Sequence, residues 1–285
     1  MWKKSKIQDF PKKRTEPKQA TVGKTLNQKK LARMKLHYKH FGEGEPLLVL
    51  HGLFGSLDNW QTLGKQLAEN HKVYLVDLRN HGKSPHSDSF SYTEMAADVA
   101  ELIQDQGLGK VTIIGHSMGG KTAMTFAVEY PHLLHKLIVV DIAPKKYAPH
   151  HDQIIDALYS LDLSSISSRR EADEVMKQSI ENDGTRLFLL KNLNREKEGG
   201  YSWKMNLDML SREIETVIDT TEIPFPIATE TLFVRGGESG YILDSDFDTI
   251  GQLFPNSEIE TVEDAGHWVH AEKPAELLSL IQDFV

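Results

Sequence analysis

The chain has 285 residues, of which 39% are hydrophobic and 26% are charged, a composition typical of globular proteins. No apolar run approaches the roughly 18 residues that a membrane-spanning helix needs, so we expect no stable membrane insertion. The absence of cysteine excludes disulfides and thiolate metal ligands and is compatible with the cytoplasmic location that we predict.

Charge is divided unevenly along the chain. Residues 1–36 carry a formal charge of +10, and the remainder carries −18. Residues 1–34 also lack apolar periodicity, so we predict a basic disordered tail ahead of a folded domain at 35–285. A nucleic-acid arm, a membrane-surface arm and a targeting sequence are the alternatives. We favour a solvated tail with no nucleic-acid partner, because a basic segment alone does not identify one.

From residue 35 the chain alternates short apolar runs with amphipathic segments. The runs predicted as strands are KLHYKHF (35–41), PLLVL (46–50), KVYLV (72–76), VTIIG (111–115), KLIVV (136–140), TLFVR (231–235) and EIETV (258–262). Several are apolar throughout, as expected of parallel strands covered on both faces. Predicted helices include 92–106, with a capping box at Ser91 and Glu94, and a last helix that begins with Pro274. The alternation predicts an α/β fold with a mostly parallel, doubly wound sheet.

The alternation stops between Asp141 and about Ile227. Helical patterns with one apolar face each occupy this region near 150–161, 168–180, 183–192 and 206–218. An all-helical insertion before a late strand predicts a cap over the sheet, at about 145–226.

A strand runs directly into Gly-His-Ser-Met-Gly at 115–119, which matches G-x-S-x-G between a strand and a helix. The flanking glycines allow a sharp turn that exposes the oxygen of Ser117 at the carboxyl ends of the strands. The following helix N-terminus favours developing negative charge. We therefore predict that Ser117 is a nucleophile, and an incidental glycine-rich turn is the alternative.

A serine needs a base to become a good nucleophile. His267, in EDAGHWVHAEKP, follows the last predicted strand, in agreement with the chain order serine, acid, histidine. His270 is the rival. Gly266 suits a tight loop that presents the neighbouring ring, so we predict His267.

Two carboxylates are candidates for the group that orients this histidine. Asp141 directly follows the strand after that of Ser117, so its side chain can reach the same imidazole. Glu238 lies beside Ser239 in RGGESGYI, after the next predicted strand. We predict Asp141 as the acid, Ser239 as an auxiliary hydrogen-bonding group and Glu238 as the alternative acid.

Acyl transfer also needs an oxyanion hole. The strand and loop LLVLHGLFGS (47–56) supply the backbone N–H of Leu53, with Phe54 as the alternative, and the turn supplies that of Met118. We expect His51 to brace the loop, and Phe54 and Trp268 to line the substrate pocket. The histidines show no H-E-x-x-H or comparable spacing, so we predict no metal.

Through HGLFGSLDNW, DLRNHGKS, GHSMGGKTAM, DIAP, RGGESGYI and AGHWVHAEKP, residues 35–285 resemble the α/β-hydrolase superfamily. The chain looks closest to the small bacterial esterases and thioesterases related to abhydrolase domain-containing protein eleven. The resemblance implies hydrolysis of acyl esters, and of acyl-CoA thioesters in bacterial members, without a cofactor. It implies that the family's serine, aspartate, histidine and extra serine fall on Ser117, Asp141, His267 and Ser239.

The chain departs from that family at one position. Asn often precedes the extra serine, whereas this chain has Glu238, which keeps the assignment of the acid open. In DLRNHGKS, we interpret Arg79 and Lys83 as solvated basic side chains of a structural turn rather than as ligands of a CoA phosphate.

We therefore predict a carboxylic ester hydrolase that forms an acyl-enzyme on Ser117 and acts on a small acyl ester or thioester. A C–C bond hydrolase or a cofactor-free perhydrolase with the same residues is the alternative within enzymes. A non-enzymatic ligand receptor on the same fold is the alternative outside them.

Overall fold

The computed structural model of the chain describes residues 34–149 and 151–285. The tail predicted for residues 1–34 lies outside the described residues except for Met34, which packs against the core. Within the described part, no helix has the length and apolarity that crossing a bilayer requires.

Every predicted strand is present in the central sheet. In chain order, the strands of the described residues are β1 (Tyr38–Phe41), β2 (Pro46–Leu50), β3 (Lys72–Val76), β4 (Val111–His116), β5 (Leu134–Val140), β6 (Leu193–Arg195), β7 (Tyr201–Trp203), β8 (Thr231–Gly236) and β9 (Ser257–Val262). Seven of them form one sheet in the order β1-β3-β2-β4-β5-β8-β9. β1 pairs antiparallel with β3, and the other neighbours are parallel. The prediction of a mostly parallel sheet is confirmed.

Helices cover both faces of this sheet. The α-helices of the described residues are α1 (Gln61–Leu67), α2 (Tyr92–Asp105), α3 (Met118–Glu129), α4 (Asp152–Tyr159), α5 (Arg169–Met176), α6 (Asp183–Leu190), α7 (Leu207–Arg212), α8 (Ile214–Ile218), α9 (Phe247–Leu253), α10 (Val269–Glu272) and α11 (Pro274–Phe284). Leu48 of β2 belongs to the apolar cluster that includes α2 and α3, whereas Leu47 belongs to the cluster with α1 and α11. Successive strand residues thus face opposite helix layers, which explains why the central strands are apolar throughout.

Residues 145–226 form an insertion between β5 and β8. Its described residues carry α4, α5 and α6 near three of the four predicted helices, and the fourth, 206–218, is divided into α7 and α8. The strands β6 and β7 pair antiparallel within it, so the prediction of an all-helical segment was wrong. Each of these strands has three residues, and they are joined through Gly199 and Gly200, both at positive φ. Runs this short do not produce a recognisable two-residue alternation.

One buried ammonium group holds both ends of the insertion. Lys121 of α3 is 1% exposed. Its Nζ donates hydrogen bonds to the main-chain carbonyls of Lys145 (2.9 Å) and Asp219. It also lies 4.9 Å from the ring centre of Tyr147. An ion pair between Lys146 and Asp219 (3.4 Å) joins the same two segments. The insertion is therefore fixed to α3 where it leaves the sheet and where it returns.

Burial lowers the pKa of Lys121 from 10.5 to about 8. Between these two values the folded chain loses a proton that the unfolded chain retains, so the free energy of unfolding rises with pH across this interval. We expect Lys121→Met to remove that rise, which is about 3 kcal/mol, as measured by urea unfolding at several pH values.

The exposed Lys146 provides the matched control. Lys146→Met removes a lysine from the same junction without removing a buried ammonium, so its unfolding free energy should follow the pH dependence of the unsubstituted chain. Identical pH dependence in Lys121→Met and the unsubstituted chain would show that the buried amine does not titrate in this interval.

Candidate active site

The turn between β4 and α3 is strained at Ser117, whose φ of 53° and ψ of −118° place it in a region that favours glycine. Glycine on either side makes this turn possible. A Cβ built on Gly119 would lie 2.3 Å from the carbonyl oxygen of Leu50, and one built on Gly115 would lie 2.3 Å from that of Gly119. The local sequence thus forces the hydroxyl out at the end of β4.

Three side chains predicted from separate segments form one chain of hydrogen bonds. Nε2 of His267 lies 3.0 Å from Oγ of Ser117, and Nδ1 of His267 lies 2.8 Å from Oδ2 of Asp141. With the proton on Nδ1, the ring donates to the carboxylate and accepts from the serine hydroxyl. This arrangement orients an imidazole to remove the serine proton.

The carboxylate of Asp141 is 0% exposed and receives two further hydrogen bonds. The N–H of Gly236 donates to Oδ1 (3.0 Å), and the hydroxyl of Ser239 donates to Oδ2. Glu238, the alternative acid, lies exposed, and its main-chain N–H donates to the carbonyl of Ala265 (2.9 Å). The structure therefore brings Asp141 and Ser239, rather than Glu238, to the imidazole.

Two further histidine rings lie close to His267. The His116 and His270 rings have their centres 4.7 Å apart, and His116 lies 4.8 Å from His267. Burial lowers the pKa of His270 to about 3 and that of His116 well below its ordinary value, so both rings are neutral. The ring of His270, the rival base, stacks on the ring of Trp60, and the imidazole that meets Oγ of Ser117 is that of His267. Nε2 of His116 donates to the main-chain carbonyl of His267 (2.8 Å). His116 therefore helps to hold the loop of His267, a role that the sequence did not reveal.

One of the two candidate oxyanion donors in the loop after β2, the N–H of Phe54, is already hydrogen-bonded. The N–H of Phe54 donates to Nε2 of His81 (3.3 Å), and its carbonyl accepts from Nδ2 of Asn192 (2.5 Å). Burial lowers the pKa of His81 to about 3, so this ring is a neutral acceptor. Among the described residues the N–H of Leu53 meets no acceptor, and that of Met118 lies in the unbonded first turn of α3. The amides of Leu53 and Met118 are thus the free pair.

His51 joins this loop to the loop after β3. Its Nδ1 donates to the carbonyl of Gly52 (2.8 Å), and its Nε2 accepts from the N–H of Leu78 (3.0 Å). Burial lowers the pKa of His51 to about 4, which keeps the ring neutral for both bonds. A Cβ built on Gly52 would lie 3.2 Å from Cβ of Ser117, so the braced loop passes close to the serine.

The interpretation of Arg79 as a solvated side chain was wrong. Its guanidinium is buried and binds Asp98 of α2 through two hydrogen bonds, from Nε (2.7 Å) and Nη2 (3.0 Å). Burial of this cation is possible because α2 supplies a carboxylate in matching geometry, a pairing between distant segments that the local motif does not show. Lys83 is exposed, as expected.

A cavity of about 240 Å³ opens onto Ser117 and His267. Both residues predicted to bind substrate, Phe54 and Trp268, line it. Leu53 and Tyr241 also line it, and the insertion contributes the apolar side chains of Ile154, Phe188 and Leu189. A wider groove of about 690 Å³ reaches His267 and Trp268 from outside. Ser117 therefore faces an apolar space that the sheet loops and the insertion build together.

Residues 45–274 match the family model for the alpha/beta hydrolase fold, so the chain belongs to the α/β-hydrolase family. It is 38% identical over 252 residues to the sn-1-specific diacylglycerol lipase ABHD11 of Danio rerio, covering 86% of this chain and 79% of that protein. It is 35% identical over 241 residues to the esterase YbfF of Escherichia coli, covering 84% of this chain and 92% of that protein.

Solved structures show the same relationship. A marine microorganism esterase superposes with a TM-score of 0.86 at 43% identity, over 88% of this chain and 100% of that one. An E-2-(acetamidomethylene)succinate hydrolase has a TM-score of 0.75 at 21% identity, which shows the fold alone. The predicted family is confirmed, and the predicted enzyme class, a carboxylic ester hydrolase, is that of the esterase and lipase relatives.

We expect Asp141→Asn to lose about 10⁴-fold in kcat while remaining folded, because loss of the carboxylate leaves the imidazole in the wrong tautomer. Ser239→Ala, which removes one hydrogen bond to that carboxylate, should lose about tenfold. Steady-state hydrolysis of a p-nitrophenyl ester measures both. Glu238→Gln is the matched control and should keep its turnover. A crippled Glu238→Gln beside an active Asp141→Asn would assign the acid to the other loop.

Proposed function

We propose that this ester hydrolase cleaves acyl esters through a covalent acyl-enzyme on Ser117. The observation that carries the proposal is the chain of hydrogen bonds from Ser117 through His267 to the buried Asp141, with distances of 3.0 Å and 2.8 Å. The two free amides beside the serine and the apolar cavity in front of it support the same chemistry.

In the first half of the reaction, Oγ of Ser117 attacks the substrate carbonyl carbon while Nε2 of His267 takes the hydroxyl proton. The carbonyl oxygen becomes an oxyanion, and the amides of Leu53 and Met118 donate hydrogen bonds to it. Asp141 stabilises the imidazolium that forms. The bond to the leaving group then breaks, and His267 gives its proton to the departing alcohol.

In the second half, water replaces the alcohol. His267 takes a proton from the water as its oxygen attacks the acyl carbon of the ester on Ser117. The same two amides hold the second oxyanion. Collapse releases the carboxylic acid, and the proton on His267 returns to Ser117, which restores the starting enzyme.

The insertion supports a role as the cap of this site. Ile154, Phe188 and Leu189 place its apolar side chains over the serine, and Asn192 binds the loop of Phe54. We propose that the cap and Trp268 enclose an apolar acyl group, and that exclusion of water strengthens the oxyanion interactions. The mechanism applies equally to an acyl thioester, whose carbonyl is attacked in the same way, so we extend the proposal to acyl-CoA thioesters.

Labelling with a fluorophosphonate probe tests the proposed nucleophile, because the probe reacts only with an activated serine. The unsubstituted enzyme should be labelled and should hydrolyse p-nitrophenyl esters, whereas Ser117→Ala should do neither. Ser164→Ala, which removes an exposed serine of the insertion, is the matched control and should behave as the unsubstituted enzyme. Equal labelling of Ser117→Ala and the unsubstituted enzyme would refute the assignment. A parallel series of acyl-CoA thioesters tests the extension.

A further inference from the structure

The imidazole of His267 lies against an aromatic ring that the mechanism above does not use. The ring of Tyr241 stacks on it, with centres 3.8 Å apart and an angle of 16° between the planes. Tyr241 belongs to the loop after β8, three positions before the short turn at Asp244–Asp246. It also lines the cavity that opens onto Ser117.

Hydrogen bonds hold the main chain of Tyr241 at both its N–H and its carbonyl. Its N–H donates to Oγ of Ser239 (3.2 Å), and its carbonyl accepts from the hydroxyl of Tyr147 (2.7 Å). Ser239 in turn donates to Asp141. The loop that completes the hydrogen bonds of the carboxylate therefore also presents the ring to the imidazole, and both contacts act on the same side chain, His267.

The other groups around His267 leave this face to Tyr241. Asp141 meets the ring edge at Nδ1, and Ser117 meets it at Nε2. His116, at the end of β4, and His270, in α10, lie close to the imidazole, and burial keeps both neutral. Trp268 meets the imidazole at a steep angle of 62°, with centres 5.9 Å apart. The carboxylate of Glu272 in α10 accepts from the N–H groups of Gly266 (2.7 Å) and Trp268 (3.2 Å), on either side of His267. A positive charge that develops on the imidazole thus lies over the face of Tyr241 and against the carboxylate of Asp141.

An aromatic face attracts a cation through the negative charge of its π-system. A neutral imidazole gains less from the same contact, so the stack stabilises the imidazolium more than the imidazole. Because the imidazolium forms as Ser117 attacks, this difference lowers the barrier. We propose that Tyr241 is a positioning residue of the ester hydrolysis proposed above: its ring holds the imidazole of His267 in line with Ser117 and stabilises the charge that the imidazole acquires.

Two substitutions separate the ring from the hydroxyl. Tyr241→Phe keeps the face and should retain kcat within about twofold. Tyr241→Leu keeps a similar apolar bulk but removes the face, and we expect its kcat to fall about tenfold. The protonated imidazole is also less stable without the ring, so the acid limb of the pH profile of kcat/KM should move to lower pH, by about half a unit to one unit. Phe247→Leu, which removes a ring that lies over Arg235, is the control for loss of an aromatic residue nearby and should change neither quantity.

NMR titration of the His267 ring provides a readout that does not depend on turnover. His267→Gln identifies its signal, and the titration midpoint should move to lower pH in Tyr241→Leu and stay in place in Tyr241→Phe. A raised KM or a lowered melting temperature in Tyr241→Leu, with an unmoved midpoint and acid limb, would overturn the inference, since Tyr241 would then only pack. A Tyr241→Phe variant as impaired as Tyr241→Leu would overturn it as well. An inert unsubstituted enzyme with the expected NMR shifts would instead refute the proposed function and leave the stacking effect standing.

Discussion

A carboxylate with no exposure to solvent organises the site. Asp141 has lost its hydration, and an ion in that position is tolerated only where hydrogen-bond donors replace the water. The donors are the N–H of Gly236, the hydroxyl of Ser239 and Nδ1 of His267, which come from the ends of β8 and β9. Meeting the requirement of this one group therefore draws two loops together, and it leaves Nε2 of His267 aimed at Ser117.

The rings next to the imidazole of His267 also tolerate a positive charge on it. His116 and His270 are buried and neutral, so neither repels a positive charge on His267. On the other side of the serine, neutral His81 and Asn192 hold Phe54 at both its N–H and its carbonyl, which fixes the loop that offers the amide of Leu53. In the proposed mechanism, rigid support of this kind would let the amides meet a transition-state charge without reorganising during the reaction.

Much of the fold and part of the site could be predicted because their causes are local. Apolar runs predict the strands, and the glycines around Ser117 permit the turn that places it. The choice between Asp141 and Glu238 depends on the sheet order. The strands β5 and β8 are parallel neighbours, so the loops that follow them, which carry the two carboxylates, leave the sheet at the same edge. Only the three-dimensional structure shows that one carboxylate is buried against His267 and the other is exposed.

The features that were missed depend on contacts between distant segments. The burial of Arg79 depends on Asp98 in α2, and the stack of Tyr241 on His267 depends on how two loops meet. In both pairs, the sequence around one residue carries no signal of its distant partner. The hairpin of β6 and β7 was missed for a different reason, since three residues per strand are too few to show an alternation.

The proposed mechanism requires a covalent intermediate on Ser117, which mass spectrometry of the quenched enzyme detects directly. A hindered substrate such as p-nitrophenyl trimethylacetate slows release of the acyl group, so the intermediate accumulates. We expect a burst of one p-nitrophenol per chain and one trimethylacetyl group on the peptide that contains Ser117. Steady p-nitrophenol release with an unmodified enzyme, or an acyl group on any other residue, would contradict the proposed mechanism.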